Sequence, residues 1–413
     1  MEKKNIDITK LKGGITSPKG FHATGCHIGI KECKKDLAIV YSEVPAKAVG
    51  VFTTNIVKAP SVLWNQNLIQ NHNLIQGIVV NSGNANVCTG EMGIKHNEMM
   101  AAELASCLGI KKNQVIVAST GVIGKPLPIE IIIEGIKNTY KNIGSRDKDA
   151  RLAAEAVMTT DTHPKEISVE FIIDNKKIRI GGMAKGSGMI HPNMATMLSF
   201  ISTDINISKE LLEKAFRESI EESYNMISVD GDTSTSDSVI LLANGMGNNS
   251  EIFDESEEYF IFKNALHYVN LYLAQEIVRD GEGASKFIAV HVKGAASKQD
   301  AKILSKSVIT SNLVKTAFFG EDANWGRIIA AMGYSGAKFD PLKVSIKFLN
   351  DVNSIEVMKD GSALQFDEDL ALKILKENEI IVELLLKDGE SEAIAWGCDL
   401  SYDYVRINGS YRT

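Results

Sequence analysis

The segment from Gly181 to Asp204 reads GGMAKGSGMIHPNMATMLSFISTD, four glycines and a lone Lys185 ahead of Thr196, where an apolar run opens. A threonine hydroxyl is a poor nucleophile unless a base lies beside it, and one solution makes the threonine the first residue of a chain. Its own α-amine, with an unperturbed pKa of about 7.7–8.0 against about 10.4 for lysine, then takes the proton near working pH. In a 413-residue chain this requires the Ala195–Thr196 bond to break. The glycines and Pro192 allow strained backbone that would set the Thr196 hydroxyl on the Ala195 carbonyl, for an N-to-O acyl shift followed by hydrolysis. The competing reading is an ordinary strand threonine behind a flexible turn. A phosphate cradle is poorly supported. The block lacks the glycine order of a nucleotide loop, and GVIGKP (Gly121 to Pro126) has proline where a P-loop needs Ser or Thr.

Short apolar runs alternating with helical patterns must position this chemistry. GIVVNSG (Gly77 to Gly83) and QVIVASTG (Gln114 to Gly121) predict buried strands ending in turns. Between them Met100, Leu104 and Leu108 share a helix face that Gly109 terminates. ISVEFIIDNKKIRIGG predicts a hairpin turning at Asp174-Asn175, and a strand follows Thr196. Ser208 caps a helix presenting Leu212, Phe216 and Ile220. Further expectations are a strand over Ser238 to Gly245, a helix over Tyr259 to Val278 and an alternating strand over Lys286 to Gly294. From about Lys338 the texture becomes strand-rich.

Composition narrows the classes. Hydrophobic content of 44% and charged content of 23% suit a globular protein, and 413 residues suggest two domains or three. A net charge of -7 and the absence of a Lys/Arg block argue against nucleic acid. No run approaches the roughly 20 apolar residues of a membrane helix, and the polar start lacks the apolar segment of a signal peptide. Five irregularly spaced cysteines suit free thiols in a reducing compartment. The cluster His22, Cys26, His27 and Cys33 matches no common zinc spacing, and DGDTSTSDS lacks the twelfth-position glutamate of a calcium loop. Asp230 and Asp232 read as turn formers, and any role for Asp237 stays open. In EDANWGRI, a polar loop entering a helix, Asn324 or Arg327 could touch substrate, but loop anchoring is the stronger reading.

MAKGSGMIHPNMATML resembles the self-cleavage segment of the ornithine acetyltransferase family, also called glutamate N-acetyltransferases. The resemblance runs the length of the chain through GVFTTN, NSGNAN, STGVIG, MTTDT, VDGDTSTSDS, RDGEGASK, GEDANWGRI and INGSYRT. It implies cleavage between Ala195 and Thr196, with Thr196 as nucleophile and Thr120 and Gly121 as oxyanion hole. It further implies Thr159, Lys185, Thr196, Glu282, Asn408 and Thr413 as substrate-binding residues. Lys185 suits the carboxylate of N-acetylornithine and Glu282 its δ-ammonium; Thr160, next to Thr159, could exchange roles with it.

The expected fold is α/β (α+β), a layered α/β catalytic domain of the aminopeptidase/ornithine acetyltransferase type over 1–286 and a smaller strand-rich domain over 287–413. The expected activity moves acetyl from N2-acetylornithine to glutamate through an acetyl-Thr196 ester in arginine biosynthesis. No metal or organic cofactor is implied; acetyl-CoA, a donor for some family members, stays open as a co-substrate. The resemblance implies α and β chains in a heterotetramer of two each, small-molecule substrates and a cytoplasmic location. Two alternatives remain. One is an N-terminal-nucleophile aminopeptidase or amidase that passes its acyl group to water, and the other is a non-catalytic amino-acid-binding protein whose Thr196 stays mid-chain.

Overall fold

A computed structural model describes residues 8–191 and 197–410. Ala195, Thr196 and Thr413 lie outside the described residues. Strands in chain order are β1 Thr9–Leu11, β2 Phe21–Cys26, β3 Leu37–Phe52, β4 Ile75–Asn84, β5 Val115–Val122, β6 Lys165–Ile173, β7 Lys176–Lys185 and β8 Leu198–Thr203. They continue with β9 Ile227–Ser228, β10 Ser238–Ala243, β11 Phe287–Ala295, β12 Ser345–Leu349, β13 Ser354–Lys359, β14 Ser362–Ala363, β15 Glu379–Leu385 and β16 Ser391–Cys398. The architecture is layered α/β. The chain divides into two compact units, one formed by Met1–Gly186, Pro192–Asn225 and Thr233–Ile277, the other by Ser187–His191, Met226–Asp232 and Val278–Thr413.

The first unit holds a sheet in the order β1-β6-β7-β8-β10-β3-β4-β5, with β2 also on β3. β3 serves two sets of neighbours. Residues 37–42 pair with β2, residues 47–52 pair with β10, and a register shift against β4 between Tyr41 and Ala46 separates the halves. The apolar runs in β4 and β5 have no polar face because helices cover both sides. Ile78, Val80, Ile116 and Ala118 pack with Ala150, Ala153, Ala154 and Val157 of the helix Asp147–Val157. Val79, Val115 and Val117 pack the other way, on Met100 and Leu104 of Gly90–Leu108 and Ile132 and Ile136 of Ile129–Thr139. The outer edge of β5 is capped by side chains: Trp64 Nε1 donates to Val115 O (3.0 Å), and Asn65 both donates to Val117 O (2.8 Å) and accepts from Val117 N (3.1 Å). This satisfies groups that an open edge leaves unpaired.

The second unit holds a sheet in the order β14-β13-β12-β15-β11-β16-β9, with β11 parallel to β15 and antiparallel to β16. The helix Lys298–Thr310 lies on it, close enough that a Cβ at Gly397 would come within 2.9 Å of Ile309.

Local expectations meet the structure at several points. Asp174 and Asn175 take positive φ (49° and 57°) between paired Ile173 and Lys176, as a tight hairpin turn requires. Gly109 is a left-handed C-cap, and Ser208 Oγ accepts from Leu211 N at 3.3 Å. The long helix spans Glu257–Arg279. The strand-rich tail also carries two helices, Glu368–Leu375 and Tyr402–Gly409. Among the described residues no helix is long and apolar enough to cross a membrane.

Candidate active site

In the first unit, Thr120 and Gly121 lie just before Val122 at the end of β5, and Lys185 closes β7. Gly121 has φ +128°, and a Cβ there would lie 2.4 Å from the Gly83 carbonyl carbon, so only glycine fits beside β4. The polar motifs around this turn brace one another. Ser119 Oγ donates to Asn81 Oδ1 (2.6 Å), Asn81 Nδ2 to Asn84 O (2.9 Å), and Asn84 Nδ2 to Pro126 O (3.0 Å). NSGNAN and STGVIG thus form a hydrogen-bonded scaffold, which buried polar groups need. Lys185, only 8% exposed, donates from Nζ to Thr120 Oγ1 at 3.2 Å. Because Oγ1 accepts there, its own proton can be given elsewhere, as an oxyanion donor must do.

Asp161 organises the neighbourhood, a role the sequence reading missed. Its Oδ1 accepts from Lys165 Nζ and Gly186 N, both at 2.7 Å, and its Oδ2 accepts from Thr159 N at 2.9 Å. Burial opposes its ionisation, but Lys165 and Lys185 outweigh burial and hold the carboxyl well below the usual carboxylate range. One carboxylate therefore fixes the backbone of Thr159 and the turn after Lys185. Thr159 itself is half-buried. Lys31 lies in the same electrostatic environment. It donates to Met158 O at 2.6 Å, and burial, partly offset by Asp36, brings its ammonium down to about 8. Asp237 is buried with Oδ2 unpartnered among the described residues. Burial raises its carboxyl well above the ordinary value, against the Ser234 hydrogen bond and the Lys185 charge.

In the second unit, Glu282 lies in a loop pinned by Asp399, which accepts from Ser285 N (2.8 Å), Ser285 Oγ (2.6 Å) and Lys286 N (2.9 Å). Gly283 (φ +69°) lets the C-terminal helix approach, since a Cβ would meet Tyr404 N at 2.5 Å. Asn408 on that helix donates to Glu282 Oε2 at 2.7 Å. Glu282 N in turn donates to Ser187 O at 2.9 Å, and Gly188 sits against the Glu282 carboxylate, with only 2.3 Å for a Cβ.

Most of the remaining sequence candidates have ordinary partners, and Cys33 is an exposed free cysteine. His22 pairs with Glu43, Cys26 with Thr139 and the His27 ring with Lys34 O, and among the described residues no group of three or more His, Cys, Asp or Glu is arranged to hold a metal ion. Asp230 does form its turn, accepting from Asp232 N at 3.2 Å. Asn324 caps the helix Trp325–Gly333, and Arg327 Nη1 donates to Leu313 O at 2.8 Å.

A model of the ArgJ family matches residues 22–413. The chain belongs to the ArgJ family. Arginine biosynthesis bifunctional protein ArgJ 1 of Clostridium acetobutylicum is 54% identical over 400 residues, 97% of this chain and 97% of that protein. The ArgJ protein of Caldanaerobacter subterraneus subsp. tengcongensis is 51% identical over 403 residues, covering 98% of this chain and 99% of its own length. A solved chain of the ornithine acetyltransferase complexed with ornithine from Mycobacterium tuberculosis is 36% identical, covers 46% of this chain and 100% of that chain, and has a TM-score of 0.43. In this ArgJ-family chain the expected site residues within the described range form two groups. Thr120, Gly121, Thr159 and Lys185 gather around Asp161 and β5 in one unit, and Glu282 and Asn408 pair in the other.

Proposed function

We propose that this ArgJ-family chain transfers acetyl from N2-acetylornithine to glutamate in arginine biosynthesis, by a ping-pong reaction through an ester on Thr196. The observation that carries this reading is the Lys185–Thr120 pair at the mouth of a glycine-only strand end, in a chain of this family. Self-cleavage frees the Thr196 amine. Thr196 Oγ then attacks the acetyl carbon, its proton passing to that amine. The developing oxyanion is stabilised by Thr120 and Gly121, and one such donor is worth about 2.7–4 kcal/mol of barrier. The amide C–N bond breaks, the proton goes to the departing nitrogen, and ornithine leaves. The α-amine of glutamate attacks the ester and restores the Thr196 hydroxyl. Lys185 supplies a cation for the α-carboxylate that both amino acids share, and Glu282 an anion for the δ-ammonium of ornithine. Thr159, Asn408 and Thr413 complete the substrate contacts.

The word bifunctional in the relatives' names supports a second reading, acetyl-CoA as an alternative donor to the same Thr196. The mature protein in this account is an α chain ending at Ala195 and a β chain starting at Thr196, two of each in a cytoplasmic heterotetramer, working without metal or organic cofactor. Thr196→Ala tests the central step. It should give a full-length chain with no acetyl transfer from N-acetylornithine to glutamate. Two fragments from that variant, or residual transfer at the wild-type rate, would contradict the mechanism.

A further inference from the structure

The backbone just upstream of the proposed cleavage point is held by one carboxylate. Asp230 follows the short edge strand β9. Its Oδ2 accepts from Met189 N at 2.6 Å and from the Tyr404 hydroxyl at 3.3 Å, and its Oδ1 accepts from Ile190 N at 2.8 Å. Burial, then the Asp230 charge itself, keeps the Tyr404 phenol above its ordinary pKa, so it remains a donor. The same stretch is tied at its carbonyl side, where Ile190 O accepts from Val229 N at 2.7 Å, and His191 Nδ1 meets Ser228 Oγ at 3.1 Å. Met189 meanwhile stands at φ +56°, a left-handed conformation that a non-glycine residue adopts only when its surroundings compel it. The residue is 44% exposed, so side-chain packing offers little to hold that conformation. The paired N–H groups of Met189 and Ile190, converging on one carboxylate, hold it.

We propose that Asp230 is a positioning residue for self-cleavage, a clamp that holds residues 189 and 190 in the conformation from which the Ala195–Thr196 bond breaks. This rests on the self-cleavage reading above. An acyl shift needs its hydroxyl and carbonyl in near-attack geometry, and small misplacements from a distance cost large factors in rate. A charged acceptor shared by two successive backbone donors is suited to fixing such a path, because charge-assisted bonds are the stronger kind. Turn formation with Asp232 uses only one of Asp230's interactions. Two others reach back some forty residues, to Met189 and Ile190 of the glycine-rich block, and the fourth comes from Tyr404 on the C-terminal helix.

The test is a time course of precursor conversion after cell-free synthesis of the full chain, read as loss of the full-length band. Wild type, Asp230→Asn, Met189→Gly and the Asp230→Asn/Met189→Gly pair are compared. Asp230→Asn should slow conversion by on the order of tenfold or more. Adding Met189→Gly should recover a substantial part, because glycine takes positive φ without steric penalty and needs no clamp. Urea midpoints of the same variants are read alongside, because a carboxylate that only stabilised the fold would change conversion only in step with the midpoint. Conversion of Asp230→Asn at the wild-type rate, or a slow variant that Met189→Gly leaves unchanged, overturns the clamp. If Asp230→Asn does not fold, Asp230→Ser with and without Met189→Gly gives the same comparison. Wild-type protein that is active yet never converts would instead remove the self-cleavage reading, and the clamp with it.

Discussion

Asp161 shows how one side chain sets the electrostatics of a site. It is fully enclosed, ionised, and shared by Lys165, the Thr159 backbone and Gly186. Replacing it by asparagine keeps the shape but removes the charge of a buried ion pair with Lys165, and breaking such a pair costs about 3–5 kcal/mol. The sign with pH follows from a folded pKa held below the unfolded value. The stabilisation is complete above the unfolded carboxylate pKa of about 3.9 and is lost as pH falls through the lower folded value. Urea unfolding of wild type and Asp161→Asn should therefore differ most at neutral pH and converge on acidification. A gap that widens below pH 4 would contradict the assignment. Asp237 has the opposite character: burial favours its neutral form, and its destabilising contribution grows as pH rises toward its folded pKa. The residues that carry the family resemblance, Thr120, Gly121 and Lys185, were legible as motifs. Asp161 was not, although MTTDT contains it, because an aspartate in a polar turn looks like a turn former until its distant donors are known. Asp230 was read as a turn former for the same reason.

At the scale of elements, β5 is the decisive strand, since it carries the Thr120–Gly121 pair near its end and forms one edge of its sheet. Asn65, on the helix Pro60–Gln70, completes that edge through both backbone groups of Val117. Asn65→Ala would orphan a buried donor and a buried acceptor, at about 1–3 kcal/mol each. The expected outcome is a clear drop in the denaturation midpoint with earlier hydrogen exchange along β5, whereas an unchanged midpoint would show that water or a shift in the strand replaces the side chain. Strands β4 and β5 were readable because burial on both faces leaves an unbroken apolar run. The helix Asp147–Val157 drew no reading although it is amphipathic, because the face it buries is mostly alanine set against charged residues and has no run of large apolar side chains. The helix Ile129–Thr139 was obscured by IEIII, a run that also suits a strand. Its Gly135 lies against Ile28, with room for no Cβ beyond 2.7 Å, a contact that local sequence does not reveal.

At the scale of the whole molecule, chain order and spatial grouping part company. Ser187–His191 and Met226–Asp232 belong to the second unit although the sequence around each belongs to the first. No composition shift marks these crossings. They bring Asp230 to the glycine-rich block and Glu282 against Gly188. In the proposed maturation this one chain becomes two, with Thr196 as a new and reactive amino terminus. Intact-mass measurement of purified protein, before and after incubation with N-acetylornithine alone, tests it most directly. The predicted result is a pair of masses matching 1–195 (with or without Met1) and 196–413, the latter becoming heavier by one acetyl group. A single unbroken mass in active protein, or an acetyl group that never arrives on the 196–413 fragment under trapping conditions, would contradict it.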